Sequence, residues 1–235
     1  GGAFGGGNMF QANQSYELFG NMIGLPNYIY GILLSALVGV VILGGIKKIG
    51  QTTEKIVPFM VLLYVSASLF IILTNISKLP EVFSSILSQA FNPDSVYGGL
   101  IGAIVVGITR GVFSNEGGVG SASIAHSAAK TDEPVREGIV AMIGPFIDTI
   151  IVCFMTASVI LITKDVNPLY TVGGGINGAE LTSAAFGSAI SWFPYVLSIV
   201  VFLFSFSTMI SWYYYGDKGW KYLFGDSSIK IYQFI

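Results

Sequence analysis

Charge is what this chain lacks most. Only 10% of its 235 residues are Asp, Glu, Lys or Arg, whereas 53% are hydrophobic and the mean hydropathy is +0.72. A soluble domain is typically about one quarter charged, so a chain of this length could not cover a water-facing surface. There is one cysteine, Cys153, which excludes an intramolecular disulfide, and one histidine, His126, which leaves no histidine cluster for a metal. The net charge of −2 argues against a nucleic-acid partner. Neither CxxC, a phosphate-binding glycine loop nor a nucleophile–base pair occurs, so nothing points to an enzyme or a cofactor. The chain opens on Gly1-Gly2-Ala3-Phe4-Gly5-Gly6-Gly7 without the basic start of a signal peptide. Both ends read as cuts within longer sequence.

What is present is a series of long uncharged runs, which favour spanning helices over a barrel. Residues 1–14 read as the end of one span. Further spans are expected near 28–46, 56–76, 97–129 (broken near 110–120), 139–163 and 195–215, in a single transmembrane domain 1–235. The segment 79–91 is amphipathic, with Leu79, Val82, Phe83, Ile86 and Leu87 at helical spacing. It reads as an external interfacial helix. Leu181 to Tyr215 carries no charge and is too long for one span, so it divides at Pro194 into an external helix near 179–192 and a span. Lys218 to Phe224 would open the next helix. Gly173-Gly174-Gly175 reads as an external turn. Basic residues set the topology. Lys47, Lys48, Lys55, Lys130, Arg136, Lys218, Lys221 and Lys230 fall on one side and Lys78 and Lys164 on the other, which assigns the first set to the cytoplasm.

The segment Thr109-Arg110-Gly111-Val112-Phe113-Ser114-Asn115-Glu116-Gly117-Gly118-Val119-Gly120-Ser121-Ala122 interrupts an apolar run with glycines, two charges and small polar residues. Each glycine costs about 1 kcal/mol against alanine inside a helix, and a charge near mid-bilayer costs several. Irregular backbone at membrane depth is tolerated only within protein or beside a cavity. A break here would offer amides to a carboxylate and carbonyls to a cation, which suits a zwitterionic amino acid and Na+. The plainer alternative is close helix packing by the glycines with Arg110 and Glu116 as a structural pair.

Weaker candidates follow the same logic. Asn8 and Gln11 lie three apart on one helix face, as do Ser205 and Thr208. Their hydroxyls suit a hard cation, or bond back to their own carbonyls. Asp148 lies inside its span and needs a partner or water, as a proton relay or as a structural hydrogen bond.

From Arg110 to Ala129 the sequence resembles the alanine/glycine:cation symporter family, also called sodium:alanine symporters, whose stretch reads much like Arg-Gly-(Val/Leu)-Phe-Ser-Asn-Glu-Ala-Gly-x-Gly-Ser-Ala-Pro. The likeness continues through Glu133-Pro134-Val135-Arg136-Glu137-Gly138, Gly144-Pro145-Phe146-Ile147-Asp148-Thr149, Gly6-Gly7-Asn8-Met9-Phe10-Gln11-Ala12-Asn13, and Phe206-Ser207-Thr208 to Trp212-Tyr213-Tyr214-Tyr215-Gly216. Gly117 stands where the family usually has Ala, and Ser123 where it usually has Pro.

The resemblance implies an all-α polytopic membrane protein of the leucine-transporter-like inverted-repeat fold. The chain would run from the end of the third helix to the start of the ninth, with a broken sixth helix and the first helix absent. It implies symport of a small neutral amino acid, alanine or glycine, with Na+ as coupling ion across the cytoplasmic membrane by alternating access. Alternatives are an H+-coupled carrier using Glu116 or Asp148 and a non-transporting scaffold or receptor. Phe113, Ser114, Asn115, Gly117, Gln11 and Asn8 would line the amino-acid site. Trp212 would wall it opposite Phe113, and Ser205 and Thr208 would give oxygens to Na+.

Overall fold

The computed structural model describes residues 2–90, 99–116, 118–167, 169–170 and 178–234. The described residues are helical apart from turns and short connections. The expected spans and external helix lie partly outside them at residues 1, 91 and 97–98, as do Gly117 and the Gly173-Gly174-Gly175 turn wholly. Among the described residues, three helices are long and apolar enough to cross a membrane: Gly45–Thr74, Pro134–Ile162 and Phe193–Phe224.

The chain divides into two compact units, residues 1–64, 178–183 and 192–235 in one and residues 65–177 and 184–191 in the other. In the first, helix runs from Gly5 to Gly20, with α1 (Phe10–Ser15) between two wide-turn segments, Gly5–Met9 and Tyr16–Gly20. It continues past the expected end at Gln14, because no glycine or proline interrupts residues 8–19. Gly24, at φ 68, and Pro26 turn the chain into α2 (Asn27–Ile42).

Gly45, also at φ 68, ends the short connection into α3 (Gly45–Thr74). The lysine-rich stretch expected as a loop, Lys47 to Lys55, is therefore the opening of α3. Thr52 and Thr53 donate to the carbonyls of Lys48 and Ile49 at 2.8 and 3.0 Å, so polar side chains stay with the helix. Similarly, α10 (Phe193–Phe224) begins where Pro194 takes a first-turn position, but it does not stop near Tyr215. It continues through Lys218 with an Asp217–Lys221 ion pair one turn apart at 2.8 Å, and ends at Gly225, φ 79, before α11 (Ile229–Phe234).

The core of this unit joins Tyr30, Leu34, Val41 and Ile49 to Phe206, Met209 and Ile210. Phe19 packs on Phe202 with ring centroids 4.8 Å apart. The buried Tyr30 hydroxyl donates to Ser15 Oγ at 2.9 Å, and Ser15 Oγ donates to the Ala12 carbonyl at 3.1 Å, which satisfies both hydroxyls inside an apolar core. Tyr232 on α11 is buried against Tyr213 and Trp220, at 5.6 and 5.4 Å. Burial, followed by the neighbouring Tyr213 and Asp217, pushes its phenol up to about 12.

The second unit holds α4 (Leu79–Ala90), α5 (Gly99–Ser114), α6 (Ser121–His126), α7 (Pro134–Pro145) and α8 (Phe154–Ile162). α9 (Ala179–Ala189) begins in the first unit and ends in the second. α7 passes into α8 without leaving helix, through a wide-turn segment, Phe146–Cys153. Pro145 precedes it; proline has no N–H and crowds the carbonyl four residues back, so the ladder reopens there in wider turns. Helix α4 packs on α8: Val82 is buried, and Phe83 meets Phe154 at 5.2 Å. Ile71, Val159 and Phe186 are fully buried within this unit.

Candidate functional site

The apolar helix α5 stops at Ser114 and α6 starts at Ser121. Between them the backbone turns left-handed at Glu116 (φ 57), Gly118 (φ 76) and Gly120 (φ 93). Glycine takes that region freely, whereas for Glu116 it costs about 1–2 kcal/mol. Such strain in a non-glycine residue is concentrated at functional sites. Neither Arg110 nor Glu116 is in an ion pair among the described residues, so the plainer reading of the two as a structural pair fails. Arg110 is exposed instead.

Around the break, Ser114 Oγ lies 4.0 Å from Cys153 Sγ, which brings the end of α5 beside the wide turns that hold Asp148. Phe113 is 43% exposed, Asn115 and Glu116 are half-buried, and Asp148 is exposed within this chain. Beyond the break, His126 Nδ1 meets Glu137 Oε1 at 2.6 Å and ties α6 to α7 across the intervening turn. The sequence reading found no metal cluster for His126 and did not show this partner. It also passed over Ser121, whose Oγ is buried without a hydrogen bond among the described residues. Its place directly after Gly120, where helix resumes, was the available signal.

The remaining candidates belong to the first unit. Asn8 lies in the wide-turn segment Gly5–Met9, and its side-chain amide donates to the Ala3 carbonyl. Gln11 makes a longer bond of the same kind to the Gly6 carbonyl, at 3.5 Å. Both amides thus serve carbonyls of a ladder that has slipped from four- to five-residue spacing. Trp212 is buried, and its indole lies against Gly2 and Gly7. A Cβ on Gly7 would collide with the indole's attachment atoms, so the glycine-rich start is a seat for this tryptophan. Tyr215 meets the indole edge-on at 5.4 Å. One turn and two turns before Trp212 on α10, Thr208 is half-buried and Ser205 buried. The structure therefore groups Asn8, Gln11, Ser205, Thr208 and Trp212 in one unit and Phe113, Ser114, Asn115, Arg110, Glu116 and Asp148 in the other. Wide helical turns, which recur at functional positions, carry Asn8 in one unit and Asp148 in the other.

A profile described as the sodium:alanine symporter family matches residues 2–235. The chain belongs to the sodium:alanine symporter family. With three helices among the described residues long and apolar enough to span a bilayer, it is part of a multi-pass membrane protein. Among its curated relatives, the sodium/alanine symporter AgcS of Methanococcus maripaludis is 43% identical over 234 residues, 98% of this chain and 51% of that protein. The sodium/proton-dependent alanine carrier protein of a Bacillus species is 35% identical over 230 residues, 91% of this chain and 50% of its own length. The probable sodium/glutamine symporter GlnT of Bacillus subtilis is 36% identical over 218 residues, covering 92% of this chain and 45% of its own. The chain spans about half the length of the curated relatives it matches.

Proposed function

We propose that the protein containing this chain is a Na+-coupled symporter of a small neutral amino acid, alanine or glycine. It works by alternating access in the cytoplasmic membrane, on a leucine-transporter-like inverted-repeat fold. The observation that carries this reading is the left-handed run at Glu116, Gly118 and Gly120, which interrupts an apolar helix in a member of a symporter family. An unwound helix offers amides and carbonyls with no partner in their own ladder, and these recognise a carboxylate and a cation. Phe113, Ser114, Asn115 and Gly117 would line the amino-acid site, with Asn8 and Gln11 adding polar contacts and Trp212 an apolar wall. Ser205 and Thr208 would supply oxygens to Na+. The loops and helix ends bearing Lys47–Lys55, Lys130–Arg136 and Lys218–Lys221 would face the cytoplasm. The work is carriage, not bond-making. One positive charge moved inward across 100 mV gains about 2.3 kcal/mol, roughly fiftyfold in accumulation before the Na+ gradient is counted.

Counterflow and gradient-driven uptake of labelled alanine in proteoliposomes, with the full-length protein, test this. Uptake that rises with an inward Na+ gradient is expected, and indifference to that gradient refutes the coupling. Proton coupling has one observation in its favour, the words sodium/proton-dependent in the Bacillus relative's name. Uptake that follows a pH gradient without Na+ would select it.

A further inference from the structure

In the first unit, the elbow between α2 and α3 and the last turns of α10 enclose a cleft of about 240 Å³. It shares no residue with the candidate transport site. Ile42, Leu43, Ile46 and Ile49 give it an aliphatic lining. Lys218 and Lys221 stand in the same lining. Lys218 is exposed, with its ammonium 5.4 Å from the centroid of the Tyr214 ring. Lys221 donates to Asp217 Oδ2 at 2.8 Å, and Asp217 is only 7% exposed. One of the three ammonium protons of Lys221 thus offsets the buried carboxylate and the others remain for a ligand. Outside the lining, Lys47 follows the lining residue Ile46 in the chain and Lys230 follows the lining residue Ile229.

Lysines and aliphatic side chains lining one cleft, on a protein whose solvent is a bilayer, match one class of ligand. A soluble anion would leave the isoleucines idle, and a neutral lipid would leave the lysines idle. We propose that this cleft binds an anionic phospholipid, its phosphate held by Lys218 and Lys221 and one acyl chain laid along Ile42, Ile46 and Ile49. Basic pockets between membrane helices hold lipid headgroups in this way. The site is independent of which ion drives transport.

The test uses the full-length protein, delipidated in neutral detergent and titrated with phosphatidylglycerol or phosphatidylcholine, with bound lipid counted by native mass spectrometry. Phosphatidylglycerol is expected to bind more tightly. Each lysine near a headgroup is worth about 1 kcal/mol, so Lys218→Gln should reduce that preference about fivefold. Lys218→Gln with Lys221→Gln should reduce it roughly thirtyfold. Ile46→Trp, which fills the trough and keeps both lysines, should lower binding of the same lipid, whereas Lys164→Gln should change nothing. Equal binding of the two lipids, a preference unmoved by Lys218→Gln and Ile46→Trp, or inorganic phosphate competing as strongly as the whole lipid would each overturn the proposal.

Discussion

Gly7→Ala should destabilise the protein although alanine is the better helix former. A Cβ at Gly7 falls inside Trp212, where its neighbours include the indole Cβ and Cδ2, each at 2.6 Å. These atoms sit at the root of a buried side chain and cannot swing away. Overpacking of this kind costs about 1–3 kcal/mol, against a propensity gain of up to about 1 kcal/mol, so the expected net loss is about 1–2 kcal/mol. Gly5 is the internal control. It lies in the same wide-turn segment, and nothing stands within 4 Å of a Cβ placed there, so Gly5→Ala should be neutral or mildly stabilising. The measurement is unfolding of the full-length protein in detergent, as a double-mutant cycle with Trp212→Gly, which removes the clashing Cβ together with the ring. If the Trp212 side chain is the obstacle, Gly7→Ala costs nothing once that side chain is gone, and the coupling equals the clash. A Gly7→Ala penalty that persists in the Trp212→Gly background, or a wild-type melting curve for Gly7→Ala, would refute the reasoning.

Gly120→Ala should cost about 1–2 kcal/mol in the same melts, because φ 93 is closed to alanine although a Cβ there would meet open space. Glu116→Gly, which relieves the strain at φ 57, should leave stability unchanged or raise it while lowering alanine uptake. Asn115→Ala should weaken alanine affinity or flux at normal membrane insertion, read by binding and uptake on matched protein amounts. A buried tyrosine should titrate near 12 by tyrosinate absorbance and vanish in Tyr232→Phe. Because its folded value lies above the unfolded value of 10, the folded state keeps the proton longer. Its contribution to stability is then complete below pH 10 and is lost as pH rises towards 12.

The helix break was legible in residues 110–120, because glycine and charge are costly in an apolar helix and leave a visible trace in composition. The start of α10 was legible for a related reason, Pro194 being admissible only near a helix beginning. The continuation of α3 through Lys47 to Lys55 and of α10 through Lys218 was not. Charge marks depth in a membrane, whereas the end of a helix is set by the backbone, here by the left-handed glycines at 45 and 225. Nor could spacing reveal that Asn8 and Gln11 serve carbonyls five residues earlier, since a same-face argument presumes the ordinary four-residue ladder.

By itself, the sequence determined that the chain lives in lipid, that it is helical, and that one of its helices is interrupted. All three follow from which groups water or hydrocarbon will accept, and that is a property of composition along the chain. Tertiary structure decided what those groups touch. It put Trp212 on Gly7, His126 on Glu137 and Cys153 beside Ser114, and it left Arg110 and Glu116 unpaired with each other. Such pairings depend on helix contacts between segments far apart in the chain, and no local pattern of residues encodes them.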